Sequence, residues 1–260
     1  MPTGIQGKVA LVTGGASGIG RITGIEFARA GARVVVTTDA NLRGAEETVQ
    51  TIKDAGGEAS FIRCNVSKEQ DVEELVHKTV ELYGSLDFAF NNAGVGPDGT
   101  RIPVVSIADC TEEVWDRTMN VNLKGVWLCM KHEIRQMTAQ GHGAIVNTSS
   151  VGGLKALPGF GPYGASKSGV IGLTKCAALE CARSGVRVNA VCPGPTGGTR
   201  LLENISVANP EKQAELANQI PMGRVGAPEE IARAVVWLCS DDAAFVTGHA
   251  LSVDGGVAAS

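Results

Sequence analysis

Short runs of β-branched residues alternate along the chain with segments whose apolar side chains recur every three or four positions. The runs predict strands at 9–13, 33–38, 59–64 and 86–90, and the helical pattern fills 18–30, 42–55 and 69–83. Each of these helices stops at a glycine (Gly31, Gly56-Gly57, Gly84) that takes a left-handed conformation cheaply. The second half repeats the rhythm. A long helical pattern spans 114–140, a strand 144–148, a helix 163–183 and a strand 186–191. Pro228, suited to a first helical turn, opens a helix at 229–239, and a short strand follows at 249–253. Strand and helix in alternation imply an α/β, doubly wound fold of about seven parallel strands with helices on both faces. No linker, repeat or charge block divides it, so one domain over 1–260 is expected.

Two stretches exceed simple crossovers. Residues 94–111 are rich in Gly, Pro and Asp, and 193–226 form a long insertion, of which 195–226 reads as a substrate lid. Both follow predicted strands, and in open α/β sheets the ligand crevice lies outside the carboxyl ends of strands.

Composition narrows the class. Of 260 residues 43% are apolar and 19% charged, enough for a large core, and aromatics are only 4%. A net charge of −4 with interspersed signs argues against nucleic acid or a membrane surface as partner. No apolar run reaches the length of a membrane span or a signal peptide. The seven cysteines are scattered without a C-x-x-C, and the four histidines lack ligand spacing. Reduced thiols in a cytoplasmic compartment and no metal are therefore expected.

The first strand runs into Thr13-Gly14-Gly15-Ala16-Ser17-Gly18-Ile19-Gly20, and a helix follows. Such a turn needs residues without Cβ where backbones or a phosphate approach, and the helix N-terminus presents free N–H groups to an anion. A tight turn with no ligand is the plain alternative. Further along stand Asn91-Asn92-Ala93-Gly94, Asn122, Ser150, Tyr163, Lys167, Pro193-Gly194 and Val253-Asp254-Gly255-Gly256. With these motifs the chain resembles the short-chain dehydrogenase/reductase family, in its large single-domain branch, over nearly its whole length. The resemblance implies a Rossmann-type fold and a bound nicotinamide dinucleotide.

On that resemblance, Gly14, Ser17, Gly18, Ile19 and Gly20 hold the phosphates, and Asn92, Ala93 and Gly94 border the nucleotide. Asn65 and Val66 match the adenine-contacting position, with Asn where the usual residue is Asp. Asp39 lies about twenty residues beyond the glycine loop, where a carboxylate accepts from the ribose diol and repels a 2′-phosphate. No Lys or Arg precedes Gly18 or immediately follows Asp39, which favours NAD over NADP. Thr38 is the rival for the diol, and Asp39 as a turn cap is the plain reading. Pro193 and Gly194 are expected beside the nicotinamide, with Thr199, or alternatively Thr196, on its carboxamide.

Tyr163 and Lys167, four apart in a helical segment, project on one face. A nearby ammonium and a positive nicotinamide ring would lower the phenol pKa from about 10 and make it a general base. Ser150 ends the turn after the fifth strand, where its hydroxyl can hold a substrate oxygen; Ser149 competes, and Ser150 has the family's separation from Tyr163. The resemblance gives Asn122 a helix interruption and a water leading to Lys167, and gives Lys167 the ribose hydroxyls. Asn189 is read as structural.

The reaction implied is hydride transfer between NAD and a secondary alcohol or ketone. The candidate substrate-binding residues are Ser150, Val151 and Tyr163. The further apolar walls Val95, Leu154, Phe160, Pro195, Leu201, Leu202 and Ile205 point to a hydrophobic or cyclic substrate. The alternatives are an NADPH-dependent 3-oxoacyl-carrier-protein reductase and, from another class, a non-catalytic nucleotide-binding scaffold or sensor. Relatives pair the long helices at 114–140 and 163–183 across two-fold axes, which makes a homotetramer the expected assembly.

Overall fold

The computed structural model describes residues 2–97, 102–199, 202 and 210–260. Its elements are β1 (Val9–Thr13), α1 (Gly18–Arg29), β2 (Arg33–Thr38), α2 (Leu42–Asp54), β3 (Glu58–Arg63), α3 (Glu69–Tyr83) and β4 (Phe88–Asn91). They continue with α4 (Glu112–Met119), α5 (Gly125–Gln140), β5 (Gly143–Thr148), α6 (Gly161–Cys181), β6 (Val186–Pro193), α7 (Pro210–Asn218), α8 (Pro228–Cys239) and β7 (Ala250–Val253). The seven strands form one sheet in the order β3-β2-β1-β4-β5-β6-β7, every pair parallel. The strand order turns between β1 and β4, so their carboxyl ends open a crevice there.

Two apolar layers cover the sheet. One joins Phe27 of α1 and Val235, Val236 and Leu238 of α8 to Val12, Val34, Val36 and Val146 of the strands. The other joins Leu75 of α3, Leu128 and Met137 of α5 and Val170 of α6 to Leu11, Val35, Ala89 and Ile145. Alternate strand residues thus serve opposite faces, as a sheet buried on both sides requires. At the amino edge, Asp87 staples three strands. Burial pushes its carboxyl up, but bonds from Val9 N–H, His142 and Ser85 outweigh that and hold it below its ordinary value. β4 begins at Phe88 rather than at the expected 86.

The helix expected over 114–140 is not continuous. Between α4 and α5 the backbone widens into a five-residue π-helical stretch, Asn120–Lys124, with Asn122 at its centre. The long insertion is clasped at its base: Thr196 and Gly226 form a parallel bridge, with Gly197 N–H on Gly226 C=O and Gly226 N–H on Pro195 C=O, both 2.9 Å. Among the described residues no helix is long and apolar enough to cross a membrane.

Candidate functional site

The glycine loop is built by exclusion of side chains. Gly14 and Gly18 have φ of +66° and +53°, which other residues rarely adopt. A Cβ on Gly20 would stand 2.3 Å from the Gly14 carbonyl oxygen and 2.6 Å from Asn92 Nδ2, and one on Gly14 would meet Ala93 Cα at 2.9 Å. Ser17 caps α1 in extended conformation without a side-chain bond to the helix, and the N–H groups of Gly18, Ile19 and Gly20 begin it. A loop this close to backbone, ending on free helix N–H groups, fits a dinucleotide pyrophosphate.

Thr13, which the sequence reading passed over, joins this loop to the next strand. Its hydroxyl accepts from the N–H groups of Asn92 at 2.9 Å and Ala93 at 3.0 Å, and Asn92 Nδ2 donates to Thr13 C=O at 3.2 Å. A threonine closing a buried strand directly before the glycines was the available signal. Gly94 then leads to the chemistry, because a Cβ there would stand 3.2 Å from Asn122 Oδ1 and 3.6 Å from Lys167 Nζ.

At the end expected to meet adenosine, β2 stops at Thr38, whose Oγ1 accepts from Ala40 N–H at 3.4 Å, and Asp39 follows in an exposed bend. Burial, then Asp71 and Asp39, together raise the Cys64 thiol to about 12, so this rim is negative. Asn65 is committed locally: its Oδ1 accepts from Ser67 N–H and Oγ, and its own N–H donates to Asp71. Val66 lies against Gly125, where a Cβ would approach Val66 Cγ2 to 2.9 Å.

The serine pair separates by geometry. Ser149 Oγ donates to the Lys167 carbonyl at 2.8 Å and is spent there. Ser150 Oγ accepts from Gly152 N–H at 3.1 Å, and a Cβ on Gly152 would lie 3.4 Å from the Tyr163 ring and 3.6 Å from Ser150 Oγ, so the serine and the phenol ring are neighbours. Lys167 Nζ donates to Thr148 C=O at 2.8 Å and lies 5.7 Å from the Tyr163 ring centroid. Ser150, Tyr163 and Lys167 are thus brought together at the carboxyl edge of the sheet.

Their acidities differ from the simple expectation. Burial raises the phenol above its ordinary value, against which the Ser150 bond works. Burial also lowers Lys167 to about 8, so the cation expected to pull the phenol down is itself weakened. The other stabilising charge expected from sequence, a positive nicotinamide ring, belongs to the nucleotide-bound protein.

Asn122 does interrupt its helix, but its amide is engaged with the loop after β4. Nδ2 donates to Val95 C=O at 2.8 Å and to Ser166 Oγ at 3.2 Å, and Oδ1 accepts from Val95 N–H at 2.8 Å. Asn189 is structural, donating to Val246 C=O and accepting from His249 N–H. Gly194 N–H donates to Val253 C=O, and a Cβ on it would meet Asp254 Cα at 2.7 Å, which fixes the loop after Pro193. Both threonine hydroxyls turn onto this loop: Thr196 onto Gly194 C=O at 2.9 Å, Thr199 onto Thr196 C=O at 2.7 Å. Thr199 is the one beside the glycine loop, its Cγ2 3.7 Å from a Cβ built on Gly18.

Among the expected walls, Val151 and Leu202 are buried, Leu154 is exposed, and Phe160 meets Tyr163 edge-on at 6.2 Å. Leu201 and Ile205, with part of the 195–226 lid, lie outside the described residues. The segment after β4 adds walls that the reading missed: Val104 and Ile107 lie where a Cβ on Gly159 or Gly161 would stand, and both are exposed.

A family model described as Enoyl-(Acyl carrier protein) reductase matches residues 14–258. The chain is 41% identical to the cyclohexanol dehydrogenase of Acinetobacter sp. (strain SE19) over 255 residues, covering 98% of this chain and 96% of that one. It is 40% identical to the 3-oxoacyl-(acyl-carrier-protein) reductase of Thermotoga maritima over 254 residues, covering 97% and 98%. Among solved structures, levodione reductase superposes with a TM-score of 0.92 at 33% identity, covering 98% and 99%.

Proposed function

The chain belongs to the short-chain dehydrogenase/reductase family of oxidoreductases, and on that premise we propose that it interconverts a hydrophobic or cyclic secondary alcohol and its ketone with NAD. The observation that carries this reading is the convergence of Ser150, Tyr163 and Lys167 beside the strand end that Thr13 ties to the glycine loop. A nucleotide-binding scaffold has no need of that cluster.

Bound nicotinamide supplies the hydride acceptor in oxidation and the donor in reduction. The Tyr163 hydroxyl moves the proton: it protonates the ketone oxygen in one direction and, as phenolate, takes the alcohol proton in the other. Ser150 donates a hydrogen bond to the same oxygen. Lys167 spends one ammonium proton on Thr148 C=O and keeps two for the ribose hydroxyls and the passing proton. Asn122 holds Val95, and through it the loop carrying Gly94. Because burial keeps the resting phenol protonated, the free enzyme is poised for reduction, and oxidation gains as pH rises.

Asp39 supports NAD: it is exposed, and two of the arginines that follow the glycine loop and Asp39 in the chain, Arg21 and Arg43, are engaged by Glu47 at 3.6 and 3.0 Å. Exposed Val104, Ile107, Leu154, Leu157 and Met222 support an uncharged, apolar substrate, as does the likeness to a cyclohexanol dehydrogenase. The rival is reduction of a 3-oxoacyl thioester with NADPH, favoured by the likeness to the Thermotoga reductase. A panel of cyclic and linear secondary alcohols, ketones and a 3-oxoacyl thioester, each with both nucleotides and followed by nicotinamide absorbance, decides between them. Turnover of a cyclic ketone with NADH is expected; preference for the thioester with NADPH would establish the rival.

The seven cysteines are free, which supports a reducing cytoplasmic setting. The apolar groove of about 640 Å³ lined by Met119, Leu123, Trp127, Leu173 and Cys176 supports pairing of α5 and α6 in a homotetramer. Light scattering on the eluting protein tests this, and a monomer would exclude it.

A further inference from the structure

Glu133 sits on the inward face of α5 with Met130 and Met137, and none of it reaches solvent. Its Oε2 accepts from Asn91 Nδ2 at 2.8 Å, and the same nitrogen donates to Asn147 Oδ1 at 3.0 Å. Asn147 Nδ2 continues the chain to Thr174 Oγ1 at 3.0 Å. Two buried acceptors in this cluster have no donor, Glu133 Oε1 and Asn91 Oδ1. They belong to the two side chains already joined by the 2.8 Å bond.

A carboxylate here would bury one charge and two unsatisfied oxygens in an apolar layer, each at a cost of several kcal/mol by order of magnitude. Among the described residues no Lys, Arg or His pairs with it. The titratable groups around it are thiols: Cys129 on α5 and, beyond it, Cys64 after β3, with Cys181 on α6, all pushed up by burial. His132, next along α5, turns its Nε2 toward Glu69 at 3.7 Å. From α3 the inward residues are Val72, Leu75, Val76 and Thr79, all uncharged.

We propose that Glu133 is a neutral carboxylic acid whose Oε1 proton is donated to Asn91 Oδ1, closing an acid–amide ring that positions the two strand ends carrying the site. One proton satisfies both orphan oxygens and removes the charge. Burial, opposed only by the Asn91 bond, pushes the carboxyl up to about 7, in keeping with this. The ring acts where it matters for the proposed dehydrogenase, on whose reading the positioning role rests. Asn91 is followed by Asn92-Ala93-Gly94; Asn147 is followed by Thr148, which holds Lys167, and by Ser149 and Ser150. Thr174 brings in α6, seven residues beyond Lys167.

The test compares the wild type with Glu133→Gln, whose amide reproduces both bonds of the ring, and with Glu133→Leu, which makes neither. In the infrared, the wild type at pH 6 should show the carbonyl band of a protonated carboxylic acid, absent from Glu133→Gln and lost as pH rises through about 7. Absence of that band overturns the proposal, and since its pH course is read in the wild type alone, misfolding of a variant does not rescue it. In urea, the unfolding constant of the wild type should rise against that of Glu133→Gln on the order of a hundredfold between pH 4 and pH 8. Parallel curves overturn the neutral acid. With a substrate from the panel above, Glu133→Gln should keep kcat within about twofold at pH 6 and lack a fall above pH 7 that the wild type shows, while Glu133→Leu loses kcat throughout. Equal pH profiles for wild type and Glu133→Gln overturn the positioning role. A wild type that turns over nothing would sink the dehydrogenase reading while the infrared and urea results still decide the acid form.

Discussion

Lys167 and Glu133 lie deep in the same side of the sheet, and burial drives them in opposite directions toward the same uncharged condition. The lysine falls to about 8 and the carboxyl rises to about 7. Their surroundings differ. Lys167 touches a carbonyl and an aromatic ring at the crevice, beside the place where the proposed reaction builds negative charge, and with a pKa of about 8 it still carries its proton there near neutral pH. Glu133 is walled by apolar side chains and neutral amides. One group stands where the proposed reaction develops charge, and the other holds the frame in its protonated form, which it gives up as pH rises through about 7.

The contrast is open to attack, first through the phenol that Lys167 serves. Tyr163→Phe should retain nucleotide affinity by fluorescence titration and lose at least about a hundredfold in kcat, the usual reach of a positioned acid or base. Retention of a tenth of wild-type turnover would break the assignment. Next, the stability gap between the wild type and Lys167→Met should follow pH in the direction opposite to that of Glu133. The folded lysine titrates near 8 against an ordinary 10.5, so between these values the unfolded chain binds more protons. Wild-type stability should therefore rise relative to the Met variant across that window, by up to ~3 kcal/mol, in paired thermal melts. A constant gap would mean that Lys167 keeps its charge throughout.

Two smaller changes, away from both clusters, sharpen the comparison by isolating nucleotide binding. Gly20→Ala drives a Cβ to 2.3 Å from the Gly14 oxygen and should cost about 1–3 kcal/mol, seen as a tenfold or greater rise in nucleotide Kd. Unaltered binding would show that the loop relaxes freely. Asp39→Ala should raise the NADP-to-NAD ratio of kcat/KM about tenfold, or ~1.4 kcal/mol. An unmoved ratio would pass the ribose role to Thr38.

Much of this was legible from periodicity. Val9–Thr13 and, after Arg33, the rest of β2 from Val34 to Thr38 are uninterrupted apolar or β-branched stretches, and burial on both faces leaves them no other reading. The left-handed stops at Gly31, Gly56 and Gly84 were equally plain. The break at Asn120–Lys124 was hidden in the pattern, because a π stretch shifts the helical phase by only one residue; only the family resemblance of Asn122 hinted at it. The serine choice needed coordinates, since both residues follow the same strand and only the Lys167 carbonyl decides which hydroxyl is spent. Glu133 escaped notice among Lys131, His132 and Arg135, which make its stretch look solvated. Its spacing from Met130 and Met137, three before and four after, was the clue.

The clasp between Thr196 and Gly226 has a practical consequence. Because the stem of that segment is already closed by a ladder pair, the 29 residues between Thr196 and Gly226 form a cassette whose ends meet in register, and loop-closure entropy grows only by about 0.6 kcal/mol per doubling of length. Cassettes of other lengths spliced between Gly197 and Gly226 should therefore be accepted by an unchanged sheet, which makes this the natural graft point for redirecting the catalyst to a new compound.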